Sequence, residues 1–114
     1  MNEKNEKEKK QLYKVRANIM KALSHPLRLE IVESLEKGEK CVTEISEIVG
    51  SKRSNVSRHL TVLTKAELLN SRKEGLNMYY SLKCPCVLDF FSCVEKVLKE
   101  QIKEKIRLLR KTIR

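Results

Sequence analysis

Tryptophan is absent from this 114-residue chain, aromatic residues make up only 4% of it, and there are just two prolines and three glycines. So little glycine and proline excludes a collagen-like or linker-like chain, and so few rings leave Leu, Ile and Val to build the core. No apolar run approaches the roughly 20 residues needed to span a bilayer. The first ten residues are charged throughout and contain no hydrophobic stretch of the secretory kind. A cytoplasmic protein with no membrane partner is the expectation, and there four cysteines act as thiols rather than as permanent disulfides. There is no glycine-rich phosphate loop and no His-Glu-x-x-His. Neither His25 nor His59 has an acid–serine or acid–cysteine partner at a catalytic spacing, so nothing supports an enzyme.

What is abundant is positive charge: 25 Lys and Arg against 15 Asp and Glu, a net +10. Such an excess suits a polyanion, either nucleic acid or an acidic membrane surface. The length is that of one domain. A domain this small buries only about two-thirds of its unfolded surface, so pairing with a second copy is a natural way to complete its core.

Residues 1–11 read as a flexible, charged lead-in, with the folded domain running from 12 to 114. Leu12, Val15, Ile19, Ala22 and Leu23 fall three and four apart, one face of a helix that Pro26 ends. Leu27, Leu29, Ile31, Val32 and Leu35 predict a second helix, stopped at Gly38. Val42 to Val49 predicts a short third helix closed by Gly50, and Ser51 is a good cap for a fourth with the stripe Val56, Leu60, Leu63 and, near its end, Leu68. Two helices joined by a short glycine-containing turn fit a helix-turn-helix, but an ordinary helical hairpin has the same spacing. The next segment decides between them. Leu68–Lys73, a turn at Gly75 and Met78–Leu82 read as a β-hairpin, and a hairpin directly after a helix-turn-helix is a wing. A last helix over 87–113 carries Val87, Phe91, Val94, Leu98, Ile102, Ile106, Leu109 and Ile113 on one stripe. At about 40 Å it is too long for so small a domain to cover, so the stripe is expected to pack on a second copy.

Between residues 51 and 83, seven basic residues face only Glu67 and Glu74, which places half the net charge in under a third of the chain. A solvated basic surface would explain the total but not its coincidence with the fourth helix and the wing. Lys52, Arg53, Ser54, Asn55, Ser57, Arg58 and His59 would line a helix lying in the major groove of double-stranded DNA, with Lys73 and Asn77 of the wing reaching the backbone or minor groove.

The runs Ala22-Leu-Ser-His-Pro-Leu-Arg-Leu-Glu-Ile31, Val56-Ser-Arg-His-Leu-Thr-Val-Leu63 and Gly75 through Tyr79-Tyr80-Ser81-Leu82 together resemble the ArsR/SmtB family of bacterial and archaeal metal-sensing repressors. The likeness covers roughly residues 12–100. It implies a mainly α winged helix-turn-helix with a small β-hairpin (α-α-α-α-β-β-α), homodimeric through its first and last helices. It also implies a repressor that binds its operator with no cofactor and lets go when an effector binds.

Cys84-Pro85-Cys86 stands where one branch of that family resembles Asp-x-His, half of a metal site between the last helices of a dimer. The positions that would complete that site are Val97 and Glu100, and valine ligates nothing, so the nitrogen-and-oxygen site is not intact. Cys93 lies one turn before Val97. Cys86 and Cys93 are about 10 Å apart along a helix, whereas sulfurs on one ion lie within about 4 Å of each other. The set Cys84, Cys86 and Cys93 is therefore more easily completed across a dimer. Three thiolates favour soft ions such as As(III), Sb(III), Cd(II), Pb(II) or Cu(I). The same thiols suit oxidation or sulfane-sulfur uptake, and three small hydrophobes would be the structural alternative. Cys41 stands where relatives begin Cys-Val-Cys-Asp-Leu, but here Thr43 replaces the second thiol. It is a capping residue first and a further effector ligand second. A basic peripheral membrane protein using Lys99, Lys103, Arg107 and Arg110 is the alternative from another class, and it leaves the wing unexplained.

Overall fold

The computed structural model describes residues 2–113, and the chain divides into two compact units, one up to Cys84 and one from Pro85. The first unit opens with helix α1 (Glu3–Leu23). Asn2 caps it by accepting the Lys4 N–H at 3.2 Å, and Glu3 and Glu6 oppose the positive end of the helix dipole. Residues 3–11 are therefore helical rather than a flexible lead-in. Glu and Lys are strong helix formers, and the cap supplies the start that an apolar stripe cannot signal. Met1 lies outside the described residues.

Helix α2 (Pro26–Ser34) follows, with Pro26 in the first turn, where its missing N–H costs nothing. Strand β1 (Lys40–Cys41), helix α3 (Val42–Val49) and helix α4 (Arg53–Lys65) come next. Gly50, at φ 66°, closes α3 in the left-handed region. The cap of α4 differs from expectation. Lys52 holds that position without a side-chain bond, and the Ser51 hydroxyl, one residue early, accepts the Asn55 amide at 2.9 Å instead. After α4 the chain reverses through Glu67, a non-glycine residue at φ 62°. Leu68 N–H bonds Leu63 O and Glu67 N–H bonds Thr64 O, both at 3.0 Å.

Strands β2 (Leu69–Glu74) and β3 (Asn77–Leu82) pair antiparallel with Glu74 opposite Asn77, leaving a two-residue loop. Gly75 takes the positive φ of 61° that such a loop demands at its first position. The sheet has a third strand the sequence did not announce. β1 pairs with β3, Lys40 opposite Tyr80 and Cys41 opposite Tyr79, so the order is β1-β3-β2. Ile31, Val32 and Leu35 of α2, Ile45 of α3, Val56, Leu60 and Leu63 of α4, and Leu69 of β2 form the core, closed by Ala22 and Leu23 at the end of α1. Upstream of these, α1 leaves Leu12, Val15, Ile19 and Met20 exposed.

The second unit is helix α5 (Val87–Thr112), which starts at Cys86 and spans about 40 Å. None of its residues is buried, and Val94, Leu98, Ile102, Ile106 and Leu109 form an exposed apolar stripe. No helix among the described residues is long and apolar enough to cross a membrane.

Candidate nucleic-acid interface

Burial of Val56, Leu60 and Leu63 fixes the rotation of α4 and so decides which side chains face outward. Arg53, Ser54, Ser57, Arg58 and Thr61 are exposed on the opposite face, and Lys52 is exposed at its start. Thr61 joins this face on helical spacing alone, since it lies three or four residues beyond Ser57 and Arg58. Its hydroxyl donates to Ser57 O at 3.0 Å.

Two residues of the sequence-derived set stand differently. Asn55 is half-buried and links its neighbours, donating to the Ser51 hydroxyl and accepting from Arg58 at 2.8 Å. His59 is half-buried and turned toward the start of α2. Its Nδ1 lies 3.3 Å from an Arg28 guanidinium nitrogen, and its ring centroid lies 4.4 Å from that of His25. Arg28 always donates, so Nδ1 of His59 accepts and the neutral ring carries its proton on Nε2. Burial, then the neighbouring His25, Arg28 and Arg58, hold the His59 pKa below the ordinary histidine value.

In the wing, Lys73 and Asn77 are exposed beside the turn, and Leu76 at its tip is fully exposed. Arg72 is engaged within the fold. It grips Glu39 through Nε at 2.9 and 3.0 Å and through a terminal nitrogen, bonds Glu74 at 2.8 Å, and stacks over Tyr79 with its guanidinium carbon 4.7 Å from the ring centroid. The Arg72 bond holds the Glu39 carboxyl below its ordinary pKa, and Glu39 and Glu74 raise that of Arg72. Between residues 51 and 83 the exposed cations other than Arg72 are Lys52, Arg53, Arg58, Lys65, Lys73 and Lys83, the last 3.9 Å from Glu67.

Among the cysteines, Cys41 is half-buried at the start of α3. Its backbone N–H donates to the Glu44 carboxylate at 3.1 Å, which holds the Glu44 pKa below its ordinary value. That is the capping role. Cys84, Cys86 and Cys93 are exposed. No group of three His, Cys, Asp or Glu positioned to hold a metal ion occurs among the described residues of one chain.

Residues 25–71 match the family model described as bacterial regulatory protein, arsR family. The chain is 34% identical over 103 residues to the HTH-type transcriptional regulator Rv0081 of Mycobacterium tuberculosis, covering 90% of each protein. It is 32% identical over 72 residues to the transcriptional repressor SdpR of Bacillus subtilis, covering 63% of this chain and 80% of SdpR. The crystal structure of Rv0081 matches with a TM-score of 0.72 at 33% identity, over 83% of this chain and 96% of that one. The solution structure of the homodimeric winged helix-turn-helix DNA-binding domain Mb0332 from Mycobacterium bovis gives 0.72 at 30% identity, over 84% and 89%. The AntR antimony-specific transcriptional repressor gives 0.64 at 29% identity, over 75% and 78%.

Proposed function

The chain belongs to the arsR family of bacterial regulatory proteins, and from that premise we propose that it is an operator-binding repressor released by an effector held on cysteine thiolates. Its winged helix-turn-helix is that of a DNA-binding transcriptional regulator and not of an enzyme. One observation carries the DNA-contact assignment. The face of α4 opposite the Val56–Leu60–Leu63 stripe is exposed and bears Arg53, Ser54, Ser57 and Arg58, next to a wing bearing Lys73 and Asn77. In the assigned roles Ser54, Ser57 and Arg58 read base edges, and Lys52, Arg53, Lys73 and Asn77 hold phosphate or groove. Asn55 and His59 belong to the same helix and support it from within.

The functional molecule is a homodimer, with the exposed stripes of α1 and α5 covered by a second copy, as the homodimeric Mb0332 domain supports. Two copies of α5 packed antiparallel would bring Cys84 and Cys86 of one chain near Cys93 of the other. Cys84, Cys86 and Cys93 supply the effector ligands, with Cys41 left to its cap. Thiolates without imidazole suit a soft metalloid or metal, and the likeness to an antimony-specific repressor favours that chemistry. Release then needs a coupling free energy of about 1–3 kcal/mol between effector and DNA.

The test is a titration of the reduced protein, bound to duplex DNA from its own promoter, with As(III), Sb(III), Cd(II), Zn(II) and a persulfide donor. Thiolate absorbance, intact mass and DNA release are followed together. The expected result is release by the soft ions, lost in Cys84→Ser/Cys86→Ser while DNA binding is kept. Release only with a mass gain of sulfur or oxygen assigns the thiols to sulfane-sulfur or redox sensing. Normal release from the double variant removes these cysteines from the site.

A further inference from the structure

Arg28 was not among the residues that sequence reasoning assigned to DNA binding, yet it is the most connected side chain near α4. Its Nε donates to Ala22 O at 2.6 Å in the last turn of α1, and a terminal nitrogen reaches Lys21 O at 3.4 Å, a carbonyl that also accepts the Ser24 N–H. Its other terminal nitrogen meets Nδ1 of His59 in the middle of α4. Against that ring lies His25, its centroid 4.4 Å away, whose own Nδ1 accepts the Leu27 N–H at 3.1 Å and caps α2. One half-buried guanidinium therefore bonds α1, from its place on α2, to the helix that presents Arg53, Ser54, Ser57 and Arg58.

We propose that Arg28 is a positioning residue for DNA recognition, seating α4 against the end of α1 through His59, and that it does so only while His59 is neutral. The proposal rests on α4 being the DNA-reading helix. The chemistry is one of donors and acceptors. A protonated His59 carries an N–H on Nδ1, so donor would face donor across the Arg28 contact. The ionisable groups acting on His59 are all basic: His25 and Arg28 from the start of α2, and Arg58 from α4 itself. Through Arg28, α1 offers the Lys21 and Ala22 carbonyls and no carboxylate. Among the described residues, α3 and β2 place no carboxylate in ion-pair reach of either ring. Nothing therefore offsets the added charge. His59 is one of two histidines in the chain, and its pKa is held below the ordinary histidine value.

The experiment selects a preferred duplex from a random-sequence pool with the wild-type full chain. It then measures the ratio of affinities for that duplex and for a scrambled one, at fixed salt, from about pH 7.5 down to about pH 5.5. Using the ratio removes the gain in phosphate attraction that any protonated histidine brings to both duplexes. The wild-type ratio should fall on acidification. Arg28→Ala and Arg28→Lys should lower it about fivefold at the upper pH and flatten the profile. The double variant His25→Asn/His59→Asn carries no titratable ring at either position, so its ratio, whatever its value at the upper pH, should stay flat on acidification. An Arg28→Ala protein that melts cooperatively and shares the wild-type ratio and profile overturns the proposal. If that variant fails to fold, a double histidine variant as pH-dependent as wild type overturns it instead. Failure of the wild-type chain to enrich any duplex would strike the DNA-reading assignment of α4, a separate outcome.

Discussion

Arg58 donates to Asn55 Oδ1 at 2.8 Å, and Asn55 in turn donates to the Ser51 hydroxyl. The guanidinium proposed to read DNA is thus held by a residue three positions earlier, itself tethered to the turn before α4. Asn55→Ala is expected to weaken binding to the preferred duplex about fivefold by releasing Arg58 into several rotamers. Arg58→Ala should cost more, about tenfold to a hundredfold, if the guanidinium reads a base. In the double variant the Asn55 change should add nothing further, because its effect runs through Arg58. Additive losses in a gel-shift double-mutant cycle would make Asn55 an independent contact.

The wing depends on Arg72 in another way. Its guanidinium bonds Glu39 and Glu74 and stacks on the Tyr79 ring, so it ties the hairpin to the segment leading into β1. Glu39→Gln should speed amide exchange across β2 and β3 while leaving the α2–α4 core protected. The pH dependence has a definite sign. The folded pKa of Glu39 lies below its ordinary 4.5, so the clamp contributes fully above that value and is lost as pH falls through the lowered one. Hydrogen exchange that is uniform along the chain in this variant would deny the clamp its local role.

Glu67 takes a left-handed conformation, at φ 62°, in a turn whose two closing bonds usually end on glycine. Its ion pair with Lys83 is exposed and 3.9 Å long, so little is lost with the carboxylate. Glu67→Gly should raise stability by about 0.5–1 kcal/mol, read as a higher denaturant midpoint at unchanged slope.

The Ser46 hydroxyl on α3 is buried with no hydrogen-bond partner among the described residues. Replacing it with alanine removes a desolvated polar atom without opening a sizeable cavity. Ser46→Ala is expected to stabilise by about 1 kcal/mol in equilibrium unfolding. A destabilised variant would show that the hydroxyl has a partner after all.

Much of this architecture was readable from periodicity. The α3 bounds, the buried stripe Val56–Leu60–Leu63 and the hairpin about Gly75 follow from apolar spacing and from glycine at turns. Three features were not. Residues 3–11 form helix without any apolar stripe, resting on an Asn2 cap and strong helix formers. A two-residue strand such as Lys40–Cys41 is too short to carry an alternation and exists only because β3 has a free edge to pair. The contact between Arg28 and His59 joins residues 31 apart, and only the packing of α2 on α4 brings them together. Exposure of Ser54, Ser57 and Arg58 was legible because their buried neighbours were. The inward turn of His59 was not, because histidine suits either side of a helix.

The short β1–β3 pairing alters what kind of reader this protein is. Because Lys40 and Cys41 lead directly into α3 while pairing with Tyr80 and Tyr79, the hairpin is hydrogen-bonded to the residues that begin the helix-turn-helix and is not a swinging arm. On the proposed DNA-binding mode, wing and helix would act as one gauge, and a groove of the wrong width would itself have to deform to fit. The elastic cost of a mismatch would then fall on the duplex, favouring sequences of suitable pliability even at base pairs that no side chain touches.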